Sequence, residues 1–290
     1  PKSNMSDFQD TLSPLQKCVI VVPVYLSAMS QTDRTSFDAL CRVLGSSWPI
    51  AIVTHSAVSL SEHQAIARQY GVSLRVELFD ARFFAGLHGY NKLMLSPDFY
   101  RRFAESEYML IYQLDVYVFR DELADWCNRG YDYIGGPLFA LRHVRNTTKD
   151  AVVGNGGCSL RRISTMLRVL QGEGWHTLRW VFTYRIPRHP YVVLRRRFLY
   201  RTMLLAMGIG FCPMSDWITH FVAEDLFFSI ALRGTPLELK VPPVSEAWQF
   251  AYNIAPQFWH EQNGRRLPFC CHAWPAQYQI FWHQYIPLVK

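Results

Sequence analysis

With 290 residues, half of them hydrophobic, the chain is long enough to bury a sizeable core, in one large domain or two fused lobes. An aromatic content of 15% against 18% charged residues excludes a disordered class. The formal charge of +7 suits an anionic partner, but no zinc-finger spacing, RNA-binding aromatic motif or basic zipper region points to nucleic acid.

The chain opens on fifteen mostly polar residues without a signal-peptide pattern. The run CVIVVPVY (18–25) follows, a β-branched stretch of the kind that forms a central parallel strand, with Pro23 late in it where a strand can end. SFDALCRVLG (36–45) has helical spacing and a glycine stop. PIAIVTH (49–55) predicts a second buried strand, SLSEHQAIARQYG (59–71) a capped helix, and SLRVELFD (73–80) a third strand that alternates. Strand, helix, strand, helix, strand is an α/β pattern with a parallel sheet. GYNKLMLSPDFYRRFA (89–104) reads as mostly helical and leads into EYMLIYQLDVYVF (107–119), a buried strand interrupted by one carboxylate, Asp115. A helix at DELADWCNRG (121–130) and a strand at DYIGGPLF (132–139) come next. From Asp150 glycine, proline and aromatic residues become denser and alternation fades, so a boundary between two halves is expected near residue 150, without a linker.

An unpaired buried charge costs several kcal/mol or takes up a proton, roughly as transfer data imply. Asp115 therefore needs a partner. Ligands of open α/β sheets bind beyond the carboxyl ends of the strands, and Asp115 lies at such an end if the strand core is 108–112, so a bound cation is one candidate. A turn cap or an arginine pair is the alternative.

Three more segments carry chemistry-bearing residues. VGNGGCSLRR (153–162) sets three glycines around Asn155, which lets the backbone approach a ligand closely. AEDLFFS (223–229) opens an apolar helix with two acids, favourable at a helix N-terminus with or without a function. LPFCCHAWP (267–275) places His272 among aromatics and prolines.

The order and wording of QLD, GNGGCSLR, EDLFFS and LPFCCHAW resemble the DxD motif, glycine loop, xED motif and C-terminal histidine of GT-A glycosyltransferases. They look closest to a domain-of-unknown-function family of GT-A-like transferases, over roughly residues 18–285. The resemblance implies a GT-A-like, Rossmann-like α/β fold. Its mostly parallel central sheet would be flanked by helices, with a nucleotide-sugar half (1–150) fused to an irregular acceptor and catalytic half (151–290). It implies Asp115 and His272 as ligands of Mn²⁺ or Mg²⁺, and Asp225 as catalytic base with Glu224 beside it. It also implies a donor-binding set of Pro23, Tyr25, His55, Asn91, Lys92, Gln113, Asp115, Asn155, Gly156 and Gly157. Lys92 and Arg161 are further candidates for phosphate. One position departs from the pattern: Gln113 stands where an aspartate is expected. Glutamine can bond a ribose hydroxyl but brings no charge, so a metal would rely on donor phosphates and water as well.

Sugar transfer from a nucleotide diphosphate needs neutralisation of the leaving group, a base for the acceptor hydroxyl and alignment of the two substrates. The acid pair after the glycine loop favours inversion. A sugar-nucleotide pyrophosphorylase should carry a glycine- and arginine-rich loop after the first strand, and the chain has none there. A glycoside hydrolase would share two carboxylates but need no nucleotide pocket. A non-catalytic sugar- or nucleotide-binding protein with a degenerate site is the second reading, because of Gln113.

Seven scattered cysteines (18, 41, 127, 158, 212, 270 and 271) form no CxxC pair and are expected to be reduced thiols in a cytosolic protein. Asn146-Thr147-Thr148 fits a glycosylation triplet of a kind common by chance. The apolar run 203–214 is too short to span a bilayer. Residues 179–201 hold seven arginines among aromatics and no acid. Such a segment suits peripheral contact with an anionic membrane surface, consistent with a lipid-linked or other glycan acceptor, or else a plain solvated face.

Overall fold

The computed structural model describes residues 16–139, 148, 151–171, 223–276 and 278–289. The arginine-rich segment, the apolar run 203–214, Cys212 and Asn146 lie outside the described residues. In chain order the strands are β1 (Gln16–Pro23), β2 (Ile50–Thr54), β3 (Leu74–Leu78), β4 (Ser106–Tyr112), β5 (Tyr117–Val118), β6 (Tyr133–Gly135), β7 (Pro137–Phe139), β8 (Ala151–Val153), β9 (Cys158–Arg162), β10 (Ala251–Tyr252) and β11 (Cys270–Cys271).

The fold is mixed α/β with a mostly parallel central sheet, in the order β3-β2-β1-β4-β9-β6. β1 pairs in parallel with both β2 and β4, and β2 with β3; β9 runs antiparallel to β4 and β6. The continuous apolar runs of β1, β2 and β4 are buried on both faces, as sheets covered by helices require. Alternation divides the core in two. Ile20, Val22, Leu110 and Tyr112 face one side with Phe37 and Trp126, while Val21, Met109 and Ile111 face the other with Leu93, Phe99 and Phe228. β3 is the sheet edge, and its Val76 and Leu78 are exposed. β9, which follows residue 150, lies between β4 and β6, so both expected halves contribute to one sheet.

The helices that cover the sheet are α1 (Gln31–Leu44), α2 (Ser61–Gln69), α3 (Gly86–Met94), α4 (Pro97–Arg101), α5 (Leu123–Asn128) and α6 (Ile163–Leu170). α1 starts five residues before the expected helix. Ser30 accepts from the Asp33 amide and the Asp33 carboxylate accepts from the Ser30 amide, a capping box that fixes the start. The single helix expected over 89–104 is two, because Pro97 cannot continue α3 but is well suited to open α4. A short helix α7 (Glu224–Leu226) runs into a π-helical turn, Phe227–Ala231. A second, three-stranded sheet, β10-β11-β5, sits beyond the end of β4, and β7 pairs with β8 as a hairpin.

Cys158 and Cys270 form a disulfide, with their Cα atoms 7.4 Å apart. This corrects the expectation of seven reduced thiols, since β9 and β11 converge on the same region. Cys18, Cys41, Cys127 and Cys271 are free and buried.

Candidate functional site

The end of β4 passes into a turn over 113–116, closed by the Val116 amide donating to the Gln113 carbonyl at 2.9 Å. The buried Tyr112 hydroxyl donates to the carbonyls of Val116 (3.0 Å) and Ser36 (2.9 Å) and pins this turn from beneath. The chain then enters β5, which pairs antiparallel with β11, and β11 pairs in parallel with β10. Three ends of this small sheet therefore lie together: Asp115 just before β5, His272 just after β11, and Asn253 just after β10. The topology explains how residues remote in sequence meet.

His272 Nε2 lies 3.2 Å from Asp115 Oδ1 and 3.2 Å from Gln113 Oε1. Asp115 Oδ1 is enclosed and has no hydrogen-bond partner among the described residues, although 39% of the side chain is exposed. Among the described residues no three His, Cys, Asp or Glu side chains are grouped so as to hold a metal ion. The third donor here is the amide oxygen of Gln113. One imidazole nitrogen, one carboxylate oxygen and one carbonyl oxygen fit a divalent cation of intermediate hardness, with open positions left for other oxygen ligands.

The glycine loop lies against these groups. Asn155 is held at φ 67° in the left-handed region, which asparagine tolerates better than most residues. Its carbonyl accepts from the Tyr133 hydroxyl at 2.9 Å, and its side-chain oxygen accepts from the Cys158 amide at 3.3 Å. A Cβ on Gly157 would meet His272 Nε2 at 2.0 Å, and one on Gly156 would meet Glu224 Oε1 at 2.1 Å. Glycine at both positions is thus a packing necessity.

Glu224 and Asp225 open α7 but face different surroundings. Arg161 Nη2 donates to Glu224 Oε1 at 2.9 Å and Nη1 lies 2.9 Å from Oε2, with both side chains buried. Ser159 accepts from Arg161 Nε, and the Tyr100 hydroxyl lies 3.0 Å from Nη1. Burial works against the Arg161 charge, but the Glu224 carboxylate together with Tyr100, Tyr133 and Tyr90 outweighs it and holds the guanidinium well above its ordinary value. Arg161 sits opposite Met109 in the β4–β9 ladder, on the face covered by α3 and α4. It is 0% exposed, which corrects the expectation that it contacts a phosphate: its charge is spent on Glu224. Asn91 Oδ1 accepts from the Glu224 amide at 3.1 Å and so caps α7.

Asp225 Oδ1 accepts from the Leu226 amide at 2.8 Å. Burial raises the Asp225 carboxyl above the usual carboxylate range, opposed by the Leu226 amide, the Arg161 charge and the Gly156 amide. That places the carboxylate beside the glycine loop as a stronger base than a solvated aspartate.

Tyr25, just beyond β1, is close enough to Asp115 and Glu224 to feel both. Burial and these two carboxylates push its phenol up. Tyr90 is buried near Gln113, and it packs 6.5 Å from Tyr25. Pro23 is buried in register with Val53, and His55 packs on Phe84 at 5.3 Å. Lys92 lines a separate cleft of about 490 Å³ beyond β2 and β3, with Ser56, Asp80, Arg82 and Asp98. The structure therefore gathers Tyr25, Gln113, Asp115, loop 155–157, Glu224, Asp225 and His272, and leaves Lys92 to the neighbouring cleft. Tyr90 and Asn253 were not legible as site residues. The packing of Tyr90 beside Tyr25 and the imidazole contact of Asn253 exist only in three dimensions.

A family model described as "Protein of unknown function (DUF5672)" matches residues 73–272. No curated protein matches the chain. Among solved structures, TarS residues 1–349 from S. aureus aligns with TM-score 0.36 and 13% identity, over 52% of this chain and 48% of that one. The glycosyltransferase GlyE from Streptococcus pneumoniae TIGR4 aligns with TM-score 0.46 and 13% identity, over 94% and 61%. The galactosyltransferase LgtC, solved with donor and acceptor sugar analogs, aligns with TM-score 0.44 and 11% identity, over 87% and 86%. This chain spans about half the length of the TarS structure. At these scores the likeness carries no activity from those proteins to this one.

Proposed function

The chain belongs to the DUF5672 family, and we propose that it is a glycosyltransferase moving a sugar from a nucleotide-diphosphate donor to a hydroxyl of a glycan or glycolipid, with inversion. One observation carries this reading. Consecutive glycines abut an acid pair on one side and an imidazole–carboxylate–amide cluster on the other, Gly156 against Glu224 and Gly157 against His272. Successive Cα atoms are about 3.8 Å apart, so two adjacent residues of one loop touch both the acid pair and the imidazole cluster, which supports reading them as parts of one site.

Each group then has a role. The missing Cβ atoms of the loop let Glu224 and His272 close against its backbone, and Tyr25 lies near enough to Asp115 and Glu224 to bound the same site. Asp225, raised by its burial, accepts the acceptor hydroxyl's proton as that oxygen attacks. Glu224 holds α7 in place through Arg161, so the base is presented from a fixed strut. Asp115, His272 and the Gln113 carbonyl fit Mn²⁺ or Mg²⁺, which when bound would neutralise a departing diphosphate. The partners on this reading are a nucleotide sugar and a glycan or lipid-linked hydroxyl. Contact with an anionic membrane surface through residues 179–201 is part of the same proposal. Among the described residues no helix is long and apolar enough to cross a membrane.

The test is Asp225→Asn against a panel of nucleotide sugars. Donor binding by calorimetry should persist while transfer, followed as nucleoside diphosphate release, falls by about 10²-fold or more. Unchanged turnover in the variant removes the base assignment. Donor binding without turnover in the unaltered protein across a broad acceptor set favours a non-catalytic binding protein.

A further inference from the structure

His272 touches four polar side chains, and their donor and acceptor pattern is not symmetric. Nε2 faces two oxygens, Gln113 Oε1 and Asp115 Oδ1, both at 3.2 Å. Nδ1 faces Asn253 Oδ1 at 3.1 Å and Asn155 Nδ2 at 3.0 Å. The Asn155 amide is oriented by the Cys158 amide, which donates to its oxygen, so its nitrogen is the end turned to the ring. Nδ1 thus sits between one donor and one acceptor, while Nε2 sees acceptors alone. Asn253 is 8% exposed and Asn155 5%, so neither contact is readily exchanged for water.

A neutral imidazole carries one proton, on either nitrogen. With the proton on Nε2, the ring donates to Gln113 Oε1, Asp115 Oδ1 lies 3.2 Å from the same nitrogen, and Nδ1 accepts from Asn155. The Asn253 and Asp115 oxygens are then left without a hydrogen bond from the ring, but no two lone pairs are forced together at Nε2, so this form suits the site without a cation. With the proton on Nδ1, the ring donates to Asn253, and the Nε2 lone pair points at two oxygen lone pairs. That arrangement is repulsive unless a cation lies between them. The two tautomers therefore belong to the empty and the loaded site, and the two asparagines select between them at constant protonation.

We propose that Asn253 is a positioning residue for the cation site: it accepts the Nδ1 proton of His272 and thereby frees Nε2 as a ligand, while Asn155 favours the empty state. This rests on the reading of Gln113, Asp115 and His272 as the ligand set. Hydrogen bonds that orient a ligating histidine typically change metal affinity by about 10–100-fold.

Mn²⁺ uptake is measured by electron paramagnetic resonance on the full chain and on Asn253→Ala and Asn253→Asp, with thermal melts confirming that each folds. The alanine variant should bind about 10–100-fold more weakly, and the aspartate, a better acceptor, should restore or tighten binding. In the unaltered protein, nitrogen-15 spectra of His272 should show the Nε2–H tautomer without cation and the Nδ1–H tautomer with saturating Mg²⁺. These spectra need no variant. Equal Mn²⁺ affinity in the alanine variant and the unaltered protein overturns the role of Asn253, as does an Nδ1–H tautomer already present without cation. If the unaltered protein takes up no Mn²⁺, the ligand set and this inference fall together. The base role of Asp225 then still stands or falls on its own turnover test.

Discussion

Two carboxylates beside the same glycine loop are held in opposite ways. Glu224 is 2% exposed and has both oxygens against the Arg161 guanidinium. Asp115 is partly exposed, and its enclosed oxygen lies 3.2 Å from an imidazole nitrogen without a hydrogen bond to any described residue. The first charge is cancelled inside the protein and belongs to the scaffold. The second meets no arginine or lysine among the described residues and is available to a ligand. Burial alone would have ranked Glu224 as the more perturbed and hence the more functional group, and burial does push its carboxyl up against the pull of Arg161. The pairing reverses that ranking.

The sharpest way to break the contrast is to remove each charge in turn. Arg161→Met leaves Glu224 buried without its cation and should cost about 3–5 kcal/mol in urea unfolding, with much of it recovered in Arg161→Met/Glu224→Met. A cost under about 1 kcal/mol for the single change would mean that the pair is not the strut described. Next come the glycines. Gly157→Ala pushes a methyl into the imidazole and should cost about 1–3 kcal/mol, with loss of Mn²⁺ uptake; Gly156→Ala should cost as much through Glu224 and leave Mn²⁺ uptake intact. If both variants lose cation equally, the loop does not separate the two clusters. Asp115→Asn should lie at the other extreme, within about 0.5 kcal/mol of the unaltered protein in stability yet without measurable Mn²⁺ binding.

A third buried polar group gives a reference for both. His63, on α2, is 0% exposed, stacks edge-on to Phe37 at 5.2 Å, and has neither ring nitrogen hydrogen-bonded to a described residue. Burial lowers its imidazole below the ordinary value, with Glu62 and Asp33 pulling the other way. The unfolded chain therefore takes up this proton first as the pH falls. Stability from this group is complete above the ordinary imidazole value and declines below it, by at most about 1.4 kcal/mol per pH unit. Denaturant midpoints between pH 7.5 and 5 should show that slope, and His63→Leu should flatten it. An unchanged slope in the variant would assign the effect to other groups.

The framework was legible because its signals are local. The apolar runs of β1, β2 and β4, the helix stops and the β-α-β order each reside in a few adjacent residues. The split between α3 and α4 was also local, and Pro97 carried it. At the site, Asp115 and His272 stood out because a charge or an imidazole in an apolar segment demands a partner. Arg161 misled for the opposite reason. An arginine near a strand end is ordinarily a solvent-facing charge, and nothing in its neighbourhood names Glu224, 63 residues away, as its counter-ion. Asn253 and Tyr90 are neutral, so their surroundings give no warning in sequence. Their roles depend on hydrogen-bond geometry that only the docked strands create. The cysteine expectation failed likewise, because Cys158 and Cys270 are separated by 112 residues.

The little sheet β10-β11-β5 sets the timing of the site as well as its shape. Gln113 and His272 are 159 residues apart, and Asn155 and His272 are 117 apart. Contacts of such long range close large loops and form after the local helices and hairpins, because the closure entropy precedes the reward. The parallel strands can therefore be in place while the cation donors are still strangers to one another. Acquisition of Mn²⁺ during refolding should lag behind the recovery of helical signal, so that the metal serves as a clock for the last docking step.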